Sequence, residues 1–201
     1  MQAVRDLEQK EAMEDLFFGQ VAIIWARWFL ILTGGMLAVW NASDLSALTV
    51  SVIPVALLMG MNFYLHGRYL MEKPVGAKLV LLTSVLDVAL ISLLVLLRQG
   101  DNGPIGSEFF IFFYPMVLAF ALVMPRKIEV AYTVFACAAY AMICSLSLVT
   151  HDSSAMGAFT EFQSELKVLA IRILTLAAMG GLGNYYFRIS RRRRASGLAS
   201  A

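Results

Sequence analysis

The sequence predicts an all-α protein, a bundle of six transmembrane helices with both termini on the cytoplasmic side, and three observations predict it. Hydrophobic residues make up 60% of the 201-residue chain and charged residues 15%, more apolar side chain than a soluble domain of this size can bury. The charges gather at the two ends and in short clusters, leaving apolar stretches of about 20 residues, the length that crosses a bilayer core as a helix. Finally, the sign of the breaks alternates. Arg5, Lys10, Arg68, Lys73, Lys78, Arg126, Lys127, Arg188, Arg191, Arg192, Arg193 and Arg194 fall on the side of the termini, and only Arg98 and Lys167 on the other. Lys and Arg collect on the cytoplasmic side of short loops, so twelve against two puts both ends inside. Adding or dropping one span would scramble that sign.

Residues 1–20 carry Arg5, Lys10 and five acidic residues and lack the apolar core and small-residue cleavage site of a signal peptide. They predict a charged cytoplasmic helix with Val4, Leu7, Met13, Leu16 and Phe17 as its apolar side. The transmembrane domain is 21–187. Its first span, 21–40, has Trp25, Trp28 and Trp40 near its ends, where indole rings favour the interface. A short turn, Asn41 to Asp44, leads to the second span at 45–65, which tolerates Pro54 and Gly60 because neighbouring helices can satisfy the freed carbonyl. The loop that follows holds His66, Arg68, Glu72, Lys73, Pro74 and Lys78. A third span, 79–97, ends at Arg98 before the Gly- and Pro-rich stretch 99–106, which stops a helix. The fourth span is expected at 107–124, a tight break at Pro125, Arg126 and Lys127 follows, and the fifth occupies 128–149. Residues 150–165 are polar and long enough for a loop with a short interfacial helix. The sixth span, 166–187, stops at Arg188 and passes into a basic tail at 188–201, whose Arg188, Arg191, Arg192, Arg193 and Arg194 fix topology and touch anionic headgroups.

An ionisable side chain inside a span costs ~2.5–3.5 kcal/mol on insertion scales, so three residues need an account. Arg27 is close enough to the cytoplasmic end to snorkel, as an interface anchor beside Trp25 and Trp28. Asp87 is near the middle of the third span and too short to do so. Arg172 lies about six residues below the outer end of the sixth span, within reach of that depth. A pair of Asp87 with Arg172 is the economical solution; a protonated Asp87, or one bonded to Thr83, remains open. Asn62 and Asn184 predict interhelical hydrogen bonds, and Gly34, Gly35, Gly180, Gly181 and Gly183 close helix contacts. The aromatic run Phe109, Phe110, Phe112, Phe113 and Tyr114 reads either as a pocket for a flat apolar ligand or as a lipid-facing belt.

Chemistry-bearing patterns are missing from the sequence. It has no phosphate-binding glycine loop, metal-ligand cluster or nucleophile elbow, and its two histidines fall in loops. The two cysteines, Cys137 and Cys144, are too few for a zinc site and read as core- or lipid-facing thiols. No enzyme activity, metal, cofactor or nucleic-acid partner is expected.

Several features together resemble the six-helix membrane input domains of bacterial sensor histidine kinases, and more distantly the membrane anchors of class III adenylate cyclases. They are Arg27 and Trp28 opening span one, the loop Gly100, Asp101, Asn102, Gly103 and Pro104 ahead of Glu108 and Phe109, the Tyr114 and Pro115 pair, the inner turn at Pro125, and Asn184 to Phe187 leading into Arg188. The resemblance implies a sensory module in the bacterial inner membrane, working as a homodimer and signalling through helix six to a cytoplasmic effector. In the redox-sensing branch of these kinases a loop with two glycines and a contiguous Asn, Pro and Phe is implicated in quinone binding. Here the second glycine, the contiguous Asn and Pro and the following Phe are absent, while Asn102, Pro104, Phe109, Phe113 and Tyr114 remain as the residues nearest a quinone or lipid ligand. Two other functions stay open: the six-helix substrate-binding subunit of a vitamin uptake system, and a non-catalytic subunit of a larger membrane complex.

Overall fold

The computed structural model describes residues 2–73, 75–98, 103–150 and 158–198. Among them every regular element is a helix: α1 (Gln2–Trp40), α2 (Leu45–Leu70), α3 (Ala77–Leu97), two short 3-10 turns (Pro104–Gly106 and Glu108–Phe112), α4 (Phe113–Ala121), α5 (Arg126–Thr150) and α6 (Ala158–Leu198). Five of these contain stretches long and apolar enough to cross a membrane: Gly19–Trp40, Leu45–Leu70, Ala77–Leu97, Arg126–Leu146 and Ser164–Ile189.

Helices run further than hydropathy alone divides them. No proline interrupts the chain between the charged N-terminal segment and the first span, so the two form one helix of 39 residues. α2 continues through His66 and Arg68, which are helical and not in a loop. The polar stretch before the sixth span enters α6 at Ala158, and the basic tail stays helical to Leu198, 41 residues in all.

The fourth segment departs most from expectation. Instead of a regular helix over 107–124 it is five residues of 3-10 helix followed by nine of α-helix. Pro115 is the physical reason. It has no N–H to give the carbonyl of Ile111 and its ring would strike that carbonyl, so it is accepted only in the first turn of a helix, which is where α4 holds it. At ~2.0 Å per 3-10 residue and ~1.5 Å per α residue the segment is roughly 24 Å long, short of a ~30 Å hydrocarbon core.

A segment that short is accommodated because protein covers most of its surface. α4 packs against α1, α3, α5 and α6, and Phe113, Met116, Val117, Phe120 and Ala121 are essentially buried. An apolar helix buried over most of its circumference is a core helix, and only a stripe through Ile111, Tyr114, Pro115, Leu118 and Leu122 stays open. Its neighbours bury one face and expose Leu32, Trp40, Leu57, Leu82, Val134 and Leu174 on the other, an apolar exterior that a water-facing surface would not carry.

Contacts fix the two ends of the bundle. At one end the Gln20 amide is bonded to both backbone groups of Val75, donating to its carbonyl at 2.5 Å and accepting from its N–H at 3.2 Å. There too a Cβ on Gly19 would lie 2.6 Å from Val123. At the other end Asn41 Nδ2 donates to Glu108 at 3.2 Å. The fourth segment, from Glu108 to Val123, therefore traverses the bundle from one end to the other.

Candidate functional site

The core holds a fully buried ion pair that the sequence reading did not foresee. Arg27 of α1 and Asp87 of α3 are both 0% exposed. Arg27 Nε donates to Asp87 at 2.8 and 3.1 Å and Nη2 donates at 2.6 Å, a bidentate arrangement that a planar guanidinium and a carboxylate favour. Asp87 is thus joined to Arg27 and not to Arg172, and Arg27 is a core residue, not an interface anchor. Depth explains the choice. Arg27 lies eight residues from Gly19 and Asp87 ten from Ala77, the ends of their spans that face the same end of the bundle, so at ~1.5 Å per residue they differ by roughly 3 Å in height. Arg172, eight residues from Ser164, is measured from the opposite end.

The pair is tied to the rest of the core. Tyr132 of α5 donates its hydroxyl to the Ser84 carbonyl at 3.1 Å, one turn from Asp87, and its ring stacks on Phe120 of α4 at 3.9 Å between centroids. Asn62 Nδ2 donates to the Ile24 carbonyl at 3.2 Å, one turn from Arg27. Three buried atoms within a turn of the pair, Arg27 Nη1, Asn62 Oδ1 and Ser84 Oγ, make no hydrogen bond.

Arg172 has a different role. Its Nη1 donates to the Tyr140 hydroxyl at 2.7 Å and its guanidinium lies 4.7 Å above the Phe110 ring, so aromatic faces and a phenol satisfy the cation where a carboxylate was expected. One turn further along α6, Thr175 and Tyr114 share a hydrogen bond of 2.8 Å. Phe109, Phe110, Phe112 and Phe113 are all buried and pack edge-on or tilted against one another and against Tyr140. The four phenylalanines are therefore core residues and form neither a lipid-facing belt nor the wall of an open pocket. Tyr114 is half-buried, and Pro104 is buried beside Gly103, whose φ of 66° requires glycine. Asn102 lies outside the described residues.

Near the N-terminus of α5 the structure opens a cleft of about 380 Å³ between α5 and α6. Its floor is polar: Glu129, 3% exposed, accepts from Asn184 Nδ2 at 2.9 Å and from the Thr133 hydroxyl at 3.1 Å. Arg126 and Arg188 stand in the lining with Val130, Val134, Ala177 and Gly181. Sequence reasoning anticipated the interhelical bond of Asn184 but missed Glu129; a carboxylate three residues inside a span was the available signal.

The remaining candidates divide. Trp25 is 67% exposed, while Trp28 is half-buried, donating Nε1 to His66 Nδ1 at 3.1 Å and packing edge-on against Phe63. Arg188 is exposed, and the side chains of Arg191, Arg192, Arg193 and Arg194 lie outside the described residues. Cys144 is buried and Cys137 half-buried, both as free thiols. Among the described residues no three His, Cys, Asp or Glu side chains converge as a metal site would require.

Long apolar helices with lipid-ready outer faces make the chain an all-helical membrane protein. No family model, curated protein or solved structure matches it.

Proposed function

We propose that the chain is a receptor-like input module that crosses a bacterial inner membrane six times, keeps both termini in the cytoplasm, and passes a change in helix packing through α6 to a cytoplasmic effector such as a histidine kinase or nucleotide cyclase. One observation carries the reading. α6 is a single helix that touches the rest of the bundle through polar contacts at separate heights, Arg172 with Tyr140, Thr175 with Tyr114, and Asn184 with Glu129. A rigid rod held at several heights transmits a shift at one of them to its far end, provided two packing states differ in ligand affinity. Its partners in this scheme are the bilayer, a second copy of the chain and the effector. The resemblance to kinase input domains supplies the ligand class, a quinone or a lipid, and the module contributes no catalytic group of its own.

The test uses the purified chain with Ile189, the last residue of the apolar stretch of α6, replaced by Cys. A short-chain ubiquinone is expected to raise the melting midpoint and to change the rate of disulfide cross-linking between two copies. Stabilisation by riboflavin or thiamine with no change in cross-linking would favour a vitamin-binding subunit instead. No response to any of them would leave the reading without its signal.

A further inference from the structure

The cleft between α5 and α6 has the outline of an amphiphile. Arg126 opens α5 and Arg188 lies one residue before the end of the apolar stretch of α6, so both guanidinium groups of the lining stand at the depth where a span leaves the hydrocarbon. Both side chains are exposed, and among the described residues neither has a hydrogen-bond or carboxylate partner. Moving inward, the walls become apolar. Val130 and Val134 follow Arg126 along α5, and Ala177 lies eleven residues from Arg188 along α6, about 12 and 16 Å deep. Glu129 is the one acid in the lining, and both its oxygens are engaged by Thr133 and Asn184. The two cations at the rim are therefore the charges left to an incoming group.

Glycines shape this space in two ways. A Cβ on Gly180 would come within 2.6 Å of Thr133 Oγ1 and 2.9 Å of Glu129 Oε1, so its absence lets α6 close on the floor. A Cβ on Gly181 would meet nothing within 4 Å. Gly181 lines the cleft and leaves it empty where a larger side chain would fill it.

We propose that this cleft is a binding site for one anionic phospholipid of the surrounding bilayer, its phosphate held by Arg126 and Arg188 and an acyl chain laid between α5 and α6 along Val130, Val134 and Ala177. Charge complementarity at headgroup depth and apolar walls below it select this occupant over a soluble anion, which would leave the walls unused. The proposal rests on the membrane character of the chain and is independent of any signalling role. A lipid seated here would bridge α5 and α6 beside the contact of Asn184 with Glu129.

Native mass spectrometry of the purified protein, released from micelles doped equally with phosphatidylglycerol and phosphatidylcholine of matched chains, tests it. Wild type is expected to retain phosphatidylglycerol roughly thirtyfold over phosphatidylcholine, from two arginines at the surface. Exchanging both for glutamine (R126Q/R188Q) should remove the preference, and R126K/R188K should keep most of it. Gly181→Leu is the decisive variant, because it fills the cleft and alters no charge: retained phosphatidylglycerol should fall to the phosphatidylcholine level with the melting midpoint close to wild type. Equal retention of the two lipids by wild type would overturn the proposal, as would full retention by Gly181→Leu, which would assign the lipid to the basic tail. Displacement by glycerol 1-phosphate would point to a soluble anion, and a change in oligomeric mass in Gly181→Leu to a second copy of the chain; either replaces the lipid as occupant.

Discussion

Two charges removed from solvent set the terms for Arg27 and Asp87. Desolvation of such a pair is repaid only by close, multiply bonded geometry, which the three donated contacts supply. Removing one partner leaves the other buried and uncompensated. Asp87→Ala is expected to cost ~3–5 kcal/mol, while replacing both residues by leucine should restore most of it; thermal unfolding in detergent reads the difference. The same experiment separates the partner found from the one expected. Arg27 and Asp87 should couple strongly in a double-mutant cycle, whereas Asp87 and Arg172 should be additive within ~0.5 kcal/mol. Strong coupling of the second pair would contradict the geometry. Outside the spans, Asp44 caps α2 by accepting from the Ala47 N–H at 2.6 Å. That amide, with help from the Ser46 hydroxyl, holds its carboxyl below the ordinary value of 3.8. A depressed folded value contributes stability that is present above the unfolded value and lost as pH falls through the folded one. The melting difference between wild type and Asp44→Ala should therefore narrow on acidification below 3.8; a gap that stays constant into strong acid would rule out the cap as its source.

Between elements, the contact of α4 with α6 depends on missing side chains. A Cβ on Gly183 would fall 2.6 Å from Ala121 Cβ and 3.3 Å from the Leu118 carbonyl, and a carbonyl in a helix cannot step aside. Gly183→Leu is expected to destabilise the bundle by ~1–3 kcal/mol through overpacking, while Gly181→Leu, two positions earlier and facing open space, should not. Equal melting midpoints for the two variants would show that α6 is rotated from the orientation described. This distinction was only half legible in sequence. Clustered glycines announce close packing, yet which of Gly180, Gly181 and Gly183 touches a neighbour depends on helix phase, which a sequence does not carry without the position of the facing helix.

Over the whole molecule, the placement of Gln20, Val75, Val123 and Arg126 at one end of the bundle and of Asn41 and Glu108 at the other makes topology testable. Single cysteines at Ser43 and at Glu72 should label from opposite faces of sealed vesicles, and one at Lys127 should match the Glu72 position. A Lys127 position that labels with Ser43 would mean the fourth segment does not traverse. Cysteines at Phe113 and Phe120 should resist a lipid-soluble maleimide that modifies one at Val134, because those two positions of α4 are buried and Val134 is not.

Composition and charge spacing by themselves determined the helical class, the apolar stretches and their approximate limits, because an apolar run of span length between polar breaks is a local property that water and hydrocarbon sort without reference to the rest of the chain. The fourth segment was expected as one regular span over 107–124, and the short helix that Pro115 leaves in its place became visible only with the neighbours that cover it. Pairing was decided by tertiary structure alone. Asp87 had two arginines and a proton to choose from, and what selected Arg27 was the relative height and rotation of α1 against α3. The same holds for the cleft: Arg126, Gly181 and Arg188 look unremarkable along the chain, and become a site only because α5 and α6 meet with those faces together.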